Sequence, residues 1–203
     1  VRDFFIVNGD TLSAPAFIEN GQLQRFDLVL ANPPYSVRQW NRSAFENDKY
    51  GRNFLGVPPQ GRADYAFIQH ILASLKPDTG RCAVLLPHGV LFRGAAEGTI
   101  RKHLLENGSI YAVIGLPAGI FFSTGIPTCV VILKKNNADR SVLFIDASKE
   151  FRKEKAQNYM DAEHIDKIVE AYEKRQDVEK FAHLAAYEEI KENDFNLNIP
   201  RYV

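Results

Sequence analysis

Across residues 1–148, apolar runs of strand length alternate with stretches of helical period, the pattern of a largely parallel sheet covered by helices. Runs at Phe4–Val7 and Phe26–Ala31 predict strands. A helix is predicted from Asp64, read as its cap, with the apolar stripe Phe67, Ile68, Ile71, Leu72 and Leu75 stopping at Pro77. Cys82–Leu86 predicts a buried strand, and Ile100, Leu104 and Leu105 mark a second helix that Gly108 ends. Three further strands follow at Ile110–Leu116, Cys129–Leu133 and Val142–Ile145. Their connections are short, so at least one pair is expected to be antiparallel. After Ser148 a charged connector leads to a helix over 161–175, with Ile165, Ile168, Val169 and Tyr172 on one face. The chain therefore divides into an α/β part, residues 1–148, and a helical C-terminal extension, residues 149–203.

Composition changes this picture little. The 203 residues are 45% hydrophobic and 25% charged with zero formal net charge, which excludes a protein that grips nucleic acid by bulk charge alone. Positive charge is nonetheless concentrated between Ser36 and Ala63, where Arg38, Arg42, Lys49, Arg52 and Arg62 face only Glu46 and Asp48. Cys82 and Cys129 lie inside apolar runs and read as buried small hydrophobes, in keeping with a reducing, cytoplasmic setting. No ligand spacing for a metal and no membrane-spanning run is present, and His70 and His88 read as ordinary packed or surface histidines. Val1 falls within an expected strand, so a longer parent chain is expected.

The candidate chemistry is at Asn32-Pro33-Pro34-Tyr35, directly after the Phe26–Ala31 strand. In open α/β sheets ligands bind beyond the carboxyl ends of strands. Two prolines remove two backbone donors and leave carbonyls free to accept. An amide side chain beside a free carbonyl is a matched acceptor pair for an exocyclic amino group, and Tyr35 offers a flat surface for a planar ring.

This stretch resembles the catalytic motif of S-adenosylmethionine-dependent amino-methyltransferases. The flanking chain resembles the modification subunit of type I restriction–modification systems, an adenine-N6 DNA methyltransferase family. Asn8-Gly9-Asp10-Thr11-Leu12 is similar to the segment lining the adenine end of the cofactor. The stretches 63–70, 80–93 and 189–202 are similar to other parts of the family, and 116–128 to its base-pocket loop. The resemblance implies a Rossmann-like methyltransferase sheet, incomplete because the first strands and the glycine-rich cofactor loop precede Val1. It implies S-adenosylmethionine as cofactor, double-stranded DNA as substrate, and specificity and restriction subunits as partners.

By the same resemblance Asn32, Pro33, Pro34 and Tyr35 are catalytic, holding a target adenine flipped out of the duplex. Phe121 would contact that base, with Phe122 the second candidate. Asp10, Thr11, Leu12 and Asn32 would bind the cofactor. Two alternatives stay open: a cofactor-less piece that only docks other subunits, and a methyltransferase for glutamine amides in protein, which shares the Asn-Pro-Pro-Tyr solution. A cytosine-N4 enzyme would more often carry Ser at position 32.

Overall fold

The computed structural model describes residues 3–121 and 125–203. In chain order its elements are β1 (Ile18–Glu19), β2 (Gln22–Leu23), β3 (Leu28–Ala31), α1 (Arg42–Glu46), α2 (Asp64–Ala73), β4 (Arg81–Pro87), α3 (Ala95–Glu106) and β5 (Ile110–Gly115). Then come β6 (Thr128–Lys134), β7 (Val142–Asp146), β8 (Arg152–Lys153), β9 (Asn158–Tyr159), α4 (Ala162–Lys174), β10 (Ala182–Ala185) and α5 (Tyr187–Glu192).

Six strands form the central sheet in the order β10-β7-β5-β6-β4-β3. β3 runs parallel to β4 and β5 parallel to β7, whereas β6 opposes both β4 and β5 and β10 opposes β7. The sheet is thus mixed: it holds the antiparallel pairing that the short connections predicted, but it is not the largely parallel sheet that the alternation suggested, since three of its five pairings among the described residues are antiparallel. Side chains alternate across it with the strand period. Val113, Val131, Leu133, Val142 and Phe144 point into a core shared with Ile68, Ile71 and Leu72 of α2 and Ile100, Leu104 and Leu105 of α3. Ala112, Ile114, Leu143 and Ile145 point to the opposite face, where Ala171 of α4 and Phe181 pack.

Local chemistry sets the helix ends. α3 stops where Gly108 takes φ +65, and a Cβ there would meet the Asn137 carbonyl oxygen at 2.3 Å. At the start of α4 the Asp161 N–H donates to His164 Nδ1 at 3.0 Å. At its end Arg175 reaches back to the Tyr111 and Ser141 carbonyls.

Several expectations need correction. Phe4–Val7 forms no strand: these residues are 56–86% exposed, and among the described residues β3, the edge of the sheet, pairs only with β4. A short apolar run becomes a strand only when another strand accepts its backbone groups. The next predicted strand is regular only over Leu28–Ala31, because Phe26 is engaged instead by the end of α2, donating to the Ser74 carbonyl and accepting from Lys76. Asp64 is the first helical residue, not the cap; Ala63 holds that position. Phe67 belongs to a separate small cluster with Leu12, Phe45, Ala63 and Ala66. On α4, Ile168 and Tyr172 pack against the core beside buried Ala171 as expected, whereas Ile165 and Val169 are exposed. The chain after Ser148 also does more than add a helix, since β10 extends the central sheet and Ile190, Leu197 and Ile199 enter the main core.

Candidate functional site

β3 delivers Asn32 to the carboxyl end of the sheet, where its side chain is exposed; Pro33 and Tyr35 are half-buried and Pro34 exposed. Tyr35 lies near enough to Cys129, at the start of β6, for the thiol to influence its ionisation. Burial first, and the thiol second, push the Tyr35 phenol above its usual range. Both cysteines are free and buried, and burial raises each thiol to about 12, so neither is a nucleophile.

The loop between β5 and β6 reaches the same end of the sheet. Its base is closed by Leu116 N–H donating to the Thr128 carbonyl at 3.0 Å. His88 Nε2 lies 2.9 Å from that same carbonyl, which can only accept, so the ring carries its proton on Nε2. The β8–β9 hairpin props the loop from outside: Asn158 donates from its backbone to the Gly119 carbonyl at 2.9 Å and from its amide to the Ala118 carbonyl at 2.8 Å. Gly119 has φ +69, which a side chain would strain. Phe121 is half-buried in this loop. Phe122 lies outside the described residues. Thr128 Oγ1 is, among the described residues, a buried polar atom with no partner.

A cavity of about 780 Å³ opens beside the outer edge of β3. Asp10 and Thr11 line it, with Phe4, Phe5, Phe17, Phe26, Leu28 and Leu30 supplying much of the wall. Leu12 is buried in the small cluster under this segment, and Asn32 lies outside the cavity lining. Asp10 accepts from Leu12 N–H at 3.0 Å and from the Ser13 hydroxyl at 2.8 Å. Burial works against its charged form, but these bonds and the Arg52 charge outweigh it and hold the carboxyl below its usual range.

Two buried ionic clusters frame the site, and neither was read from the sequence. Arg52, read as part of a basic loop, is 1% exposed. It donates to the carbonyls of Thr11 at 2.9 Å and Leu12 at 2.6 Å and pairs with Asp48 at 2.7 Å. The Asp10–Leu12 turn is thereby tied to the chain that follows the Asn-Pro-Pro-Tyr motif. Arg52 also lies 3.2 Å from His70 Nδ1, and burial together with that charge pushes His70 down to about 4. In the second cluster Asp64 pairs with Arg93 at 2.7 Å and Arg93 with Glu97 at 2.8 Å. The only local sign of either was an acid at a helix start.

The family described as N-6 DNA Methylase matches the chain over residues 1–203. The chain belongs to that family. It is 36% identical to the type I restriction enzyme MjaVII methylase subunit of Methanocaldococcus jannaschii, over all of this chain and 36% of that protein. It is 32% identical to the MpnII methylase subunit of Mycoplasma pneumoniae, over 99% of this chain and 38% of the relative. The crystal structure of the type I restriction-modification methyltransferase subunit from Streptococcus thermophilus superposes with a TM-score of 0.90 at 57% identity, covering 97% of this chain and 42% of that one. This N-6 DNA methylase chain thus spans well under half the length of these relatives, with the α/β methyltransferase fold they share. Among its described residues no helix is long and apolar enough to cross a membrane.

Proposed function

We propose that this chain carries the methyl-accepting half of an adenine-N6 DNA methyltransferase, acting on double-stranded DNA as the modification subunit of a type I system with specificity and restriction subunits. The observation that carries the reading is Asn32-Pro33-Pro34-Tyr35 at the carboxyl end of β3, with the Asn32 side chain exposed, Tyr35 beside Cys129 at the start of β6, and the loop that bears Phe121 at the same end of the sheet. The Asn32 amide oxygen and the Pro33 carbonyl accept the two hydrogens of the adenine amino group, which turns its nitrogen lone pair outward. Tyr35 stacks on the flipped base and Phe121 contacts it, with Phe122 the second candidate.

The residues around the β3 cavity fit an adenosine group: apolar walls suit a planar ring, and the Asp10 carboxylate is an acceptor for an exocyclic amine. S-adenosylmethionine, when bound, supplies a methyl group already activated on a sulfonium. Asp10 and Thr11 would hold its adenine end, with Leu12 supporting their turn from beneath and Asn32 bordering the methyl end. The role left to the protein is placement and desolvation of the acceptor nitrogen.

In the full-length protein, Asn32→Ala is expected to lower methyl transfer to duplex DNA roughly 100- to 1,000-fold, the loss typical when a preorganised hydrogen-bonding group at a reacting centre is deleted. Cofactor affinity should be nearly unchanged. Counting labelled methyl groups on DNA and on a glutamine-bearing protein, alongside calorimetric cofactor titration, checks this. Wild-type turnover in the variant, or transfer to protein only, overturns the reading.

A further inference from the structure

Asp64 is 1% exposed and opens α2, yet it does not cap that helix. Its carboxylate reaches back across the sheet end. Oδ1 accepts the Ser36 backbone N–H at 2.7 Å, and Oδ2 accepts the Ser36 hydroxyl at 3.2 Å and Arg93 Nη2 at 2.7 Å. Ser36 directly follows Tyr35 and has φ +48, in the left-handed region that a non-glycine residue adopts only when its surroundings impose it. The chain therefore reverses immediately after the motif, and Asp64 grips the residue at which it does so.

Arg93 is itself fixed. Its Nε and Nη2 donate to Glu97 at 2.8 and 3.0 Å, and Glu97, 2% exposed, also receives Arg62 at 3.3 Å. Space for the guanidinium exists because residue 89 is glycine: a Cβ there would stand 2.0 Å from Arg93 Nη1. Buried ion networks stabilise a fold no better than apolar packing of the same shape, but they fix a geometry. Here the geometry fixed is that of the motif.

We propose that Asp64, oriented by Arg93 and Glu97, is a positioning residue for methyl transfer. By holding the Ser36 amide it sets the direction in which the Pro33 carbonyl and Tyr35 meet the substrate amine. The proposal rests on the reading of Asn32–Tyr35 as the catalytic motif, so Asn32→Ala is the control.

In the full-length protein, Asp64→Ala, Asp64→Asn, Gly89→Ala and Asn32→Ala are compared by turnover number, KM for S-adenosylmethionine and 2-aminopurine emission from labelled DNA. Asp64→Ala should lower kcat about 100-fold, as expected when a reacting group is misplaced by about 1 Å, with KM for the cofactor unchanged. Asp64→Asn keeps an oxygen for the Ser36 N–H but turns an amide NH2 towards Arg93, which can only donate, and should recover only part of that loss. Gly89→Ala touches neither Ser36 nor the motif, but it displaces Arg93 and should lower kcat to an intermediate value. If Asp64→Ala does not fold, Asp64→Asn and Gly89→Ala decide the matter.

Wild-type kcat in Asp64→Ala, Asp64→Asn or Gly89→Ala overturns the proposal. If Asn32→Ala retains turnover, the reading of the motif fails instead.

Discussion

His70 shows how one side chain can couple packing to solution conditions. Its Nδ1 faces an Arg52 guanidinium that can only donate, so the ring must stay neutral there, and it is held so to about pH 4. An unfolded histidine titrates near 6.5, so between pH 6.5 and 4 the unfolded state binds the extra proton. Stability from this group is complete above about 6.5, falls as pH drops towards 4 and is flat below, a loss of up to about 3 kcal/mol. Asp48 acts in a lower window: burial opposes its charge, but the Arg52 bonds prevail and lower its pKa, so its share is lost only in stronger acid. Urea unfolding at pH 7, 5.5 and 4.5 should show a steeper decline for wild type than for His70→Gln, whose amide oxygen also accepts from Arg52. Equal slopes would show that His70 does not titrate as its burial requires. None of this was legible in sequence, where an isolated His and an Arg in a basic stretch carry no sign of meeting.

Among the elements, those with strong local signals formed where expected. Cys82, Val84 and Leu86 alternate on one face of β4, and Gly108 ends α3. Gly108→Ala should lower stability by more than the roughly 1 kcal/mol of a strained left-handed residue, because the added Cβ would also strike the Asn137 carbonyl. A urea midpoint equal to wild type would show that the α3–β5 connection can shift to accommodate it. Phe4–Val7 failed as a strand for the opposite reason: its apolar character is local, but a strand needs a paired neighbour, and among the described residues Phe4–Val7 pairs with none, not even the outer edge of β3. The face of α4 was legible in part: Ile168 and Tyr172 turn inward as its period predicts, but that the buried side takes in Ala171 and leaves out Ile165 and Val169 depends on Leu143 and Ile145, contacts no window of sequence contains.

For the molecule as a whole, the C-terminal residues are structural, not peripheral. Tyr202 stacks on Phe144 of β7 at 3.9 Å with rings 7° from parallel, and Arg101 of α3 donates to the Phe195 carbonyl at 2.8 Å. Removing residues 176–203 strips β10 from the sheet and uncovers Phe144 and Val142. We expect the truncated protein to lose its cooperative thermal transition and bind a hydrophobic dye; a sharp transition near the wild-type temperature would show that the sheet closes without β10. The amino-acid sequence by itself determined the α/β alternation and the place of Asn32-Pro33-Pro34-Tyr35 at a strand end, because periodicity, proline and glycine act over a few neighbouring residues. Only the tertiary structure decided that Asp64 holds Ser36, that Arg52 ties Thr11 and Leu12 to Asp48, and that β10 completes the sheet. Those pairs are separated by 28, 41, 40 and roughly 40 residues, and a carboxylate or guanidinium can find such a partner only once the sheet has brought the two segments together.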